Sequence, residues 1–343
     1  MLIILQSILW TTFGVVLYRE KVVGSNLARL LGRTLYWVGE PLQIFFLARN
    51  SDFSQVMWLP PMMTLAVLLL GLGVTVFSLE ILRQPISAII TKLTPHTQLE
   101  GRLLSIGLPV SSPTSPSTKK AIYPDVLVQD RSTGSFILAS ILANTGFMGL
   151  AVVPSLVDSS YWSWIVLYSL AHNILGSYGL GVVIADHYSS TESRRNWTHQ
   201  LQNLLILPAL WAFAYGYFSR DLSFTPLLET VISQGVLLVI PGAFILIGMR
   251  ISTLRQWHSL RSGVFPTLFR ILIVPGLAGL LLTLFGVHGD SRLVFVLMSS
   301  MPTAFSSLIL AEEYNLDRQV TASSILLSIL ALPVVVLLWL AIF

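Results

Sequence analysis

The sequence predicts an all-α polytopic membrane protein: ten transmembrane helices forming two inverted five-helix repeats, with helices four and nine broken. Three observations predict it. First, the 343 residues are 54% hydrophobic and only 10% charged, against roughly 25% charged in a soluble domain. Second, long runs carry no Asp, Glu, Lys or Arg: 1–18, 53–79, 132–157, 159–185, 196–219, 230–249, 271–289, 293–311 and 319–343. A hydrocarbon core about 30 Å thick needs roughly 20 apolar helical residues rising about 1.5 Å each, so these runs read as nine spans. Third, the basic residues are sorted to one side, as described below. A soluble enzyme, a nucleic-acid-binding module and a disordered scaffold all fit poorly. The absence of cysteine excludes disulfides and thiolate metal sites.

The first run has no basic n-region and no small-residue cleavage site, so it reads as a retained span rather than a signal peptide. Arg19, Glu20 and Lys21 follow it, which favours an outside N-terminus. Span two is less obvious. Thr34 to Ala48 is apolar apart from Glu40 and too short alone. Ala28 to Arg33 completes it if Arg29 and Arg33 snorkel to the interface. It reads as broken at Glu40-Pro41. Counting it gives ten spans, whose odd-numbered loops hold 16 of the 20 Lys and Arg residues, while Arg49, Arg220 and Arg292 lie in even-numbered loops. Arg270 is the twentieth, expected to snorkel to the cytoplasmic surface at the start of span eight. Nine spans would put the basic loop 83–133 outside and collapse the bias. Ten spans with both termini outside is the topology expected from the positive-inside rule.

The loop 83–133 is the sizeable soluble segment. Its Ser/Pro/Thr-rich middle, 109–120, reads as a mobile cytoplasmic linker, and 85–108 as a short interfacial helix. Ten spans split into a first repeat (1–183), a cytoplasmic linker (184–198) and a second repeat (199–343). An odd number of spans per repeat inverts one half against the other. Span two reads as broken by Pro41 and span seven by Pro241, 200 residues apart, each followed by an apolar stretch, a basic residue and a polar exit. Span four carries Asn144-Thr145-Gly146 near its middle and span nine Met301-Pro302-Thr303. A broken helix in lipid is tolerated where it faces protein or a wet cavity, because freed backbone groups need partners. The N-terminal end of a half-helix offers free N–H donors and partial positive charge, suited to a carboxylate. Two breaks, one per repeat, make a substrate site at the midplane. Pro208, Pro275 and Pro333 read as simple kinks.

Four stretches carry a resemblance. They are SSMPTAFSSLILAEEYNLDRQVTASSILLSILALPVVVLLWLAIF (299–343), ANTGFMGL (143–150), LLVIPGAFILIGMRIS (237–252) and GRTLYWVGEPLQIFFLA (32–48). In this order and at these depths the chain resembles the auxin efflux carrier family of membrane transporters. The resemblance implies that spans four and nine cross at their breaks beside the substrate. Spans one, two, six and seven would form a scaffold and the remainder a moving transport domain. It places Asn144, Thr145 and Gly146 at the first crossing, Pro302 and Thr303 at the second, and Asn173 of span five facing the substrate. It also suggests a homodimer through scaffold spans. The chain departs from the pattern at Ala151, where the family has proline, and at Glu40, where it has an apolar residue. No proline precedes Asn144, so the first break would be softer, held open by Gly146 and Gly149.

Glu40 and His172 are candidates for proton coupling. A charge at mid-bilayer costs at least about 2.5–3.5 kcal/mol on insertion scales, so Glu40 either carries a proton, pairs with a basic residue or sits in a wet cleft. His172 is read first as a packing residue, a proton relay being the alternative. Ser306, Ser307, Ser323, Ser324 and Ser328 ease close helix packing or line the cavity. The expected activity is secondary transport of a small organic anion by an elevator-type shift, in a bacterial-type inner or plasma membrane. The partners are then the lipid bilayer and a coupling proton or sodium. No cofactor, metal or nucleic acid is expected. The alternatives are a sodium/proton antiporter or cation-coupled symporter on the same fold, though none of the eight Asp lies mid-span. An intramembrane enzyme is weaker still, with no H-E-x-x-H pattern or nucleophile arrangement.

Overall fold

The structure is a computed structural model that describes residues 2–54, 57–83, 130–189, 206–253 and 260–343. The expectations for most of the 83–133 loop, and for the linker beyond residue 189, lie outside the described residues. All described elements are helical, in the order α1 (Leu2–Arg19), α2 (25–50), α3 (Leu59–Arg83), α4 (Asp130–Ile141), α5 (Thr145–Ser155), α6 (Ser159–His187), α7 (Pro208–Phe218), α8 (Pro226–Thr253), α9 (Arg261–Leu284), α10 (Asp290–Ser299), α11 (Phe305–Glu313) and α12 (Arg318–Ile342). Among the described residues, five stretches are long and apolar enough to cross a membrane: Leu59–Ile81, Ser159–His187, Pro226–Leu246, Arg261–Leu284 and Arg318–Ile342. At about 1.5 Å per residue each exceeds roughly 30 Å.

The proline-containing helices correct two expectations. Helix α2 is not broken at Glu40-Pro41. It runs on from 25 to 50, widening into a π-turn at Leu35–Gly39 just before Pro41. Proline clashes with the carbonyl four residues earlier, here in that turn, and a wider turn relieves the clash without ending the helix. Helix α8 likewise runs from Pro226 to Thr253 with Pro241 inside it. In α9, Pro275 follows another π-turn, Phe269–Ile273.

The helices pack in two groups. In one, α1 lies along α8, and α2 lies between α7 and α8. Glycine permits the close approach of α1 and α8: a Cβ at Gly248 would meet the Thr11 carbonyl oxygen at 2.1 Å, and one at Gly14 the Ile245 carbonyl oxygen at 2.2 Å. Without water to drive apolar association, such backbone contact is a main source of helix–helix affinity in lipid. Arg49 at the end of α2 donates to the carbonyls of Ser219 and Leu222 and stacks over Phe224 at 3.7 Å, tying α2 to the α7–α8 turn. In the other group, α9 packs on α10 and α12, α3 on α6, and α4 on α3 and α12. There a Cβ at Gly263 would meet the backbone of Ser323 and Ser324 at 2.6 Å, so glycine permits the close approach of α9 and α12. The largest buried cluster runs from Val152 and Trp164 through Val294–Met298 to Val335 and Trp339.

The turn between α11 and α12 contains Tyr314 and Asn315. Asn315 is left-handed, with φ 52°, a conformation asparagine tolerates better than most residues. Arg131 at the start of α4 donates to both the carbonyl and the side-chain oxygen of Asn315. Asp317 then caps α12, accepting from the N–H groups of Gln319 and Val320 at 2.9 and 3.4 Å, and its second oxygen accepts from Ser132 at 2.8 Å. The start of α4 and the start of α12 are thereby held side by side.

Candidate functional site: the crossing of two broken helices

Helix α4 stops at Ile141 and α5 resumes at Thr145; α10 stops at Ser299 and α11 resumes at Phe305. The two gaps run past each other as an isolated antiparallel bridge between Ala143 and Thr303. Asn144 N–H donates to the Pro302 carbonyl at 2.7 Å, and Ala304 N–H to the Leu142 carbonyl at 2.9 Å. Each break thus satisfies the other's freed backbone groups, as the interior of a bilayer requires. Ala143 N–H has a different partner, the Nε2 of buried His172, at 2.8 Å. Thr303 N–H donates to Ser328 Oγ at 3.0 Å, and Thr303 Oγ1 to the Ala139 carbonyl at 3.0 Å. These contacts explain why the chain breaks between α4 and α5 without proline: the opened backbone there is paired with α10–α11 and with His172. Gly146 and Gly149 have another role, close approach. A Cβ at Gly146 would lie 2.1 Å from Glu40 Oε1, and one at Gly149 would lie 3.0 Å from the end of Met298.

Beside the crossing lies a pocket of about 270 Å³, just under the ~300–1,000 Å³ typical of drug-sized ligand sites. Its polar lining comes from both packing groups: Tyr36 and Glu40 of α2, Asn144 to Gly146 at the break, Asn173, Ser177 and Tyr178 of α6, and Ser306 of α11, with Glu313 also on the lining. Asn144 Oδ1 accepts from Phe147 N–H at 3.2 Å, capping α5, while its Nδ2 is buried with no partner. Glu40 is 6% exposed, and its Oε1 accepts from Asn173 Nδ2 at 3.2 Å. The Ser177 and Ser306 hydroxyls lie 2.9 Å apart, and those of Tyr36 and Tyr178 3.4 Å.

Three of the contributing segments are π-helical: Leu35–Gly39, Thr145–Gly149 and His172–Gly181. Such wide turns are rare and occur often at functional sites. The structure brings Asn144, Thr145, Gly146, Asn173 and Glu40 together on the lining. Pro302, Thr303 and His172 sit behind it, shaping the break. Tyr36, Ser177 and Tyr178 were not singled out for the site by sequence reasoning, and Ser306 only as one of five serines that pack or line the cavity. Serine and tyrosine are common on membrane helices; Tyr36, Ser177 and Tyr178 lie on π-turns and Ser306 on α11, and only the fold brings the four to one space.

Arg270 requires a correction. It does not snorkel to the surface. It is 1% exposed and the largest fully buried side chain, donating through one Nη to the Ile141 carbonyl at 2.6 Å and through the other to the Ser299 carbonyl. A guanidinium has five donors in a fixed fork, and here the fork spans the last residues of α4 and α10.

An all-helical integral membrane protein with a pocket where two broken helices cross has the form of a membrane transporter. Comparison with known proteins agrees. Residues 208–340 match the membrane transport protein family. An uncharacterized transporter of Methanocaldococcus jannaschii is 23% identical over 216 residues, 62% of this chain and 69% of its own length. An uncharacterized transporter of Methanothermobacter thermautotrophicus is 25% identical over 206 residues, 59% of this chain and 66% of its own length. These matches agree with the resemblance read from the sequence: over residues 208–340 the chain is similar to the membrane transport protein family, and both relatives are named as transporters.

Proposed function

We propose that this protein is a secondary carrier of a small organic anion, bound at the crossing of the α4–α5 and α10–α11 breaks. The observation that carries the reading is Asn144. The residue lines the pocket, its Oδ1 caps α5, and its Nδ2 is a buried donor with no partner, which a small shift of the side chain would present to a ligand. A buried amide hydrogen without a partner costs about 1–3 kcal/mol, which a carboxylate oxygen would recover. The N-terminal turn of α5 adds partial positive charge on the same side.

Glu40 sets the coupling. An anion entering beside an ionised carboxylate about 4 Å away meets roughly 4 kcal/mol of repulsion at an effective dielectric near 20. A proton on Glu40 removes that repulsion, so proton and anion occupy the pocket together. His172 uses Nε2 as an acceptor for Ala143 N–H; a doubly protonated ring has no acceptor, and we assign it to holding the break rather than carrying the proton.

In this reading α1, α2, α7 and α8 are the scaffold, and α3–α6 with α9–α12 are the body that shifts elevator-fashion. The two packing groups support that division. The reading keeps ten spans in two inverted repeats, both termini outside, the 83–133 loop in the cytoplasm of a bacterial-type inner or plasma membrane, and a homodimer through the scaffold.

Uptake of a panel of radiolabelled carboxylic acids into proteoliposomes, with imposed pH or sodium gradients, tests the proposal. Accumulation of at least one acid driven by an inward proton gradient supports it. Exchange of sodium for protons with no acid accumulated would favour the antiporter reading, for which Glu40 in the pocket is the supporting observation.

A further inference from the structure

Helices α4 and α10 both end inside the protein, their C-terminal ends meeting at the crossing. A helix end leaves its last carbonyls without intrahelical donors and carries about half a negative charge. Two such ends together present roughly one negative charge and a set of converging oxygens. In transporters with broken helices, unwound carbonyls and half-helix C-termini of this kind hold sodium.

Here four of those oxygens have donors. Leu142 and Pro302 carbonyls accept from Ala304 and Asn144 across the bridge, and Ile141 and Ser299 carbonyls accept from the two Nη atoms of Arg270. The guanidinium is buried, and among the described residues the ion pair is elsewhere, between Arg49 and Glu229. An isolated buried charge is strongly disfavoured, so a counter-charge is needed, and the two helix ends supply one of matching size. The π-turn Phe269–Ile273 carries Arg270.

We infer that Arg270 is a resident cation. It fills, between the C-terminal ends of α4 and α10, the place that a dissociable coupling cation would otherwise take. The crossing therefore has no sodium site between these ends. Under the carrier reading, on which this consequence alone rests, coupling is left to the proton at Glu40.

Thermal unfolding of the purified protein in detergent tests the inference without a transported substrate. At equal ionic strength, the wild type should melt at the same temperature in sodium chloride and in N-methylglucamine chloride. Arg270→Met, which keeps an unbranched apolar stem and loses the guanidinium, should melt lower by at least about 5 °C. Arg270→Ala should regain at least half of its loss on adding millimolar guanidinium, a rescue that a purely space-filling side chain would not show. A saturable sodium-dependent rise in the wild type overturns the inference, as does Arg270→Met melting with the wild type or Arg270→Ala gaining nothing from guanidinium. The wild-type titration needs no variant and decides the matter even if a variant fails to fold. Sodium stabilisation would leave the carrier reading intact, and failure to move any organic acid would leave this inference intact.

Discussion

Asn144 divides its side chain between structure and site. The oxygen caps α5, and the nitrogen is buried without a partner on a residue that lines the pocket. Asn144→Asp keeps the capping oxygen and replaces the free donor with a charged acceptor. It should lose at least tenfold in anion uptake, a loss of roughly 1.4 kcal/mol or more in binding, and melt below the wild type where the buried carboxylate is ionised. Gly146 tests Glu40 from the other side. In Gly146→Ala the new Cβ would displace the end of a flexible side chain rather than backbone, so little stability should be lost. Its uptake should instead show a changed pH profile, because Glu40 is pushed from Asn173. A wild-type pH profile in Gly146→Ala would separate Glu40 from coupling. The sequence made Asn144, Thr145, Gly146 and Glu40 conspicuous, as polar or small residues in long apolar runs. It could not reveal Arg270's role: hydropathy and charge counting assign depth and side, whereas the partners of Arg270 are carbonyls from two helices 129 and 29 residues away in sequence.

At the level of single helices, the breaks were legible and the π-turns were not. Asn-Thr-Gly and Met-Pro-Thr near the middle of two spans marked gaps that the structure opens at 142–144 and 300–304. Pro41 and Pro241 marked no gaps. A proline's lost donor can be absorbed by a wide turn before it, and whether that happens depends on neighbouring helices rather than local composition. The α4–α5 break without proline relies on His172. Removing its ring as His172→Ala strips Ala143 N–H of its acceptor and opens a cavity. The expected loss is at least about 1–3 kcal/mol, read as a lower melting temperature. His172→Gln, with an acceptor oxygen on a shorter arm, should recover part of it. If His172→Ala melts with the wild type, the break is held by the bridge with α10–α11 alone.

For the whole molecule, composition alone placed the chain in the membrane, and the family match agrees. The assignment of sides is testable because the chain has no native cysteine to confuse labelling. Lys119→Cys in otherwise unchanged protein should react with a membrane-impermeant maleimide only after the cytoplasmic face is exposed. Reaction from the outside of intact cells would invert the topology. The two packing groups meet at the pocket, with Tyr36 and Glu40 contributed by one and Asn144, Asn173 and Ser306 by the other. A shift of one group against the other would therefore remake every polar contact of the site, including the Glu40–Asn173 hydrogen bond. The measurement that bears most directly on this account is carboxylic-acid uptake into proteoliposomes under an inward proton gradient, comparing wild type, Asn144→Ala and Glu40→Gln. The account predicts accumulation by the wild type that rises as external pH falls, loss of most of it in Asn144→Ala, and a flattened pH dependence in Glu40→Gln. Accumulation unchanged in Asn144→Ala, or no acid accumulated while sodium–proton exchange persists, would contradict it.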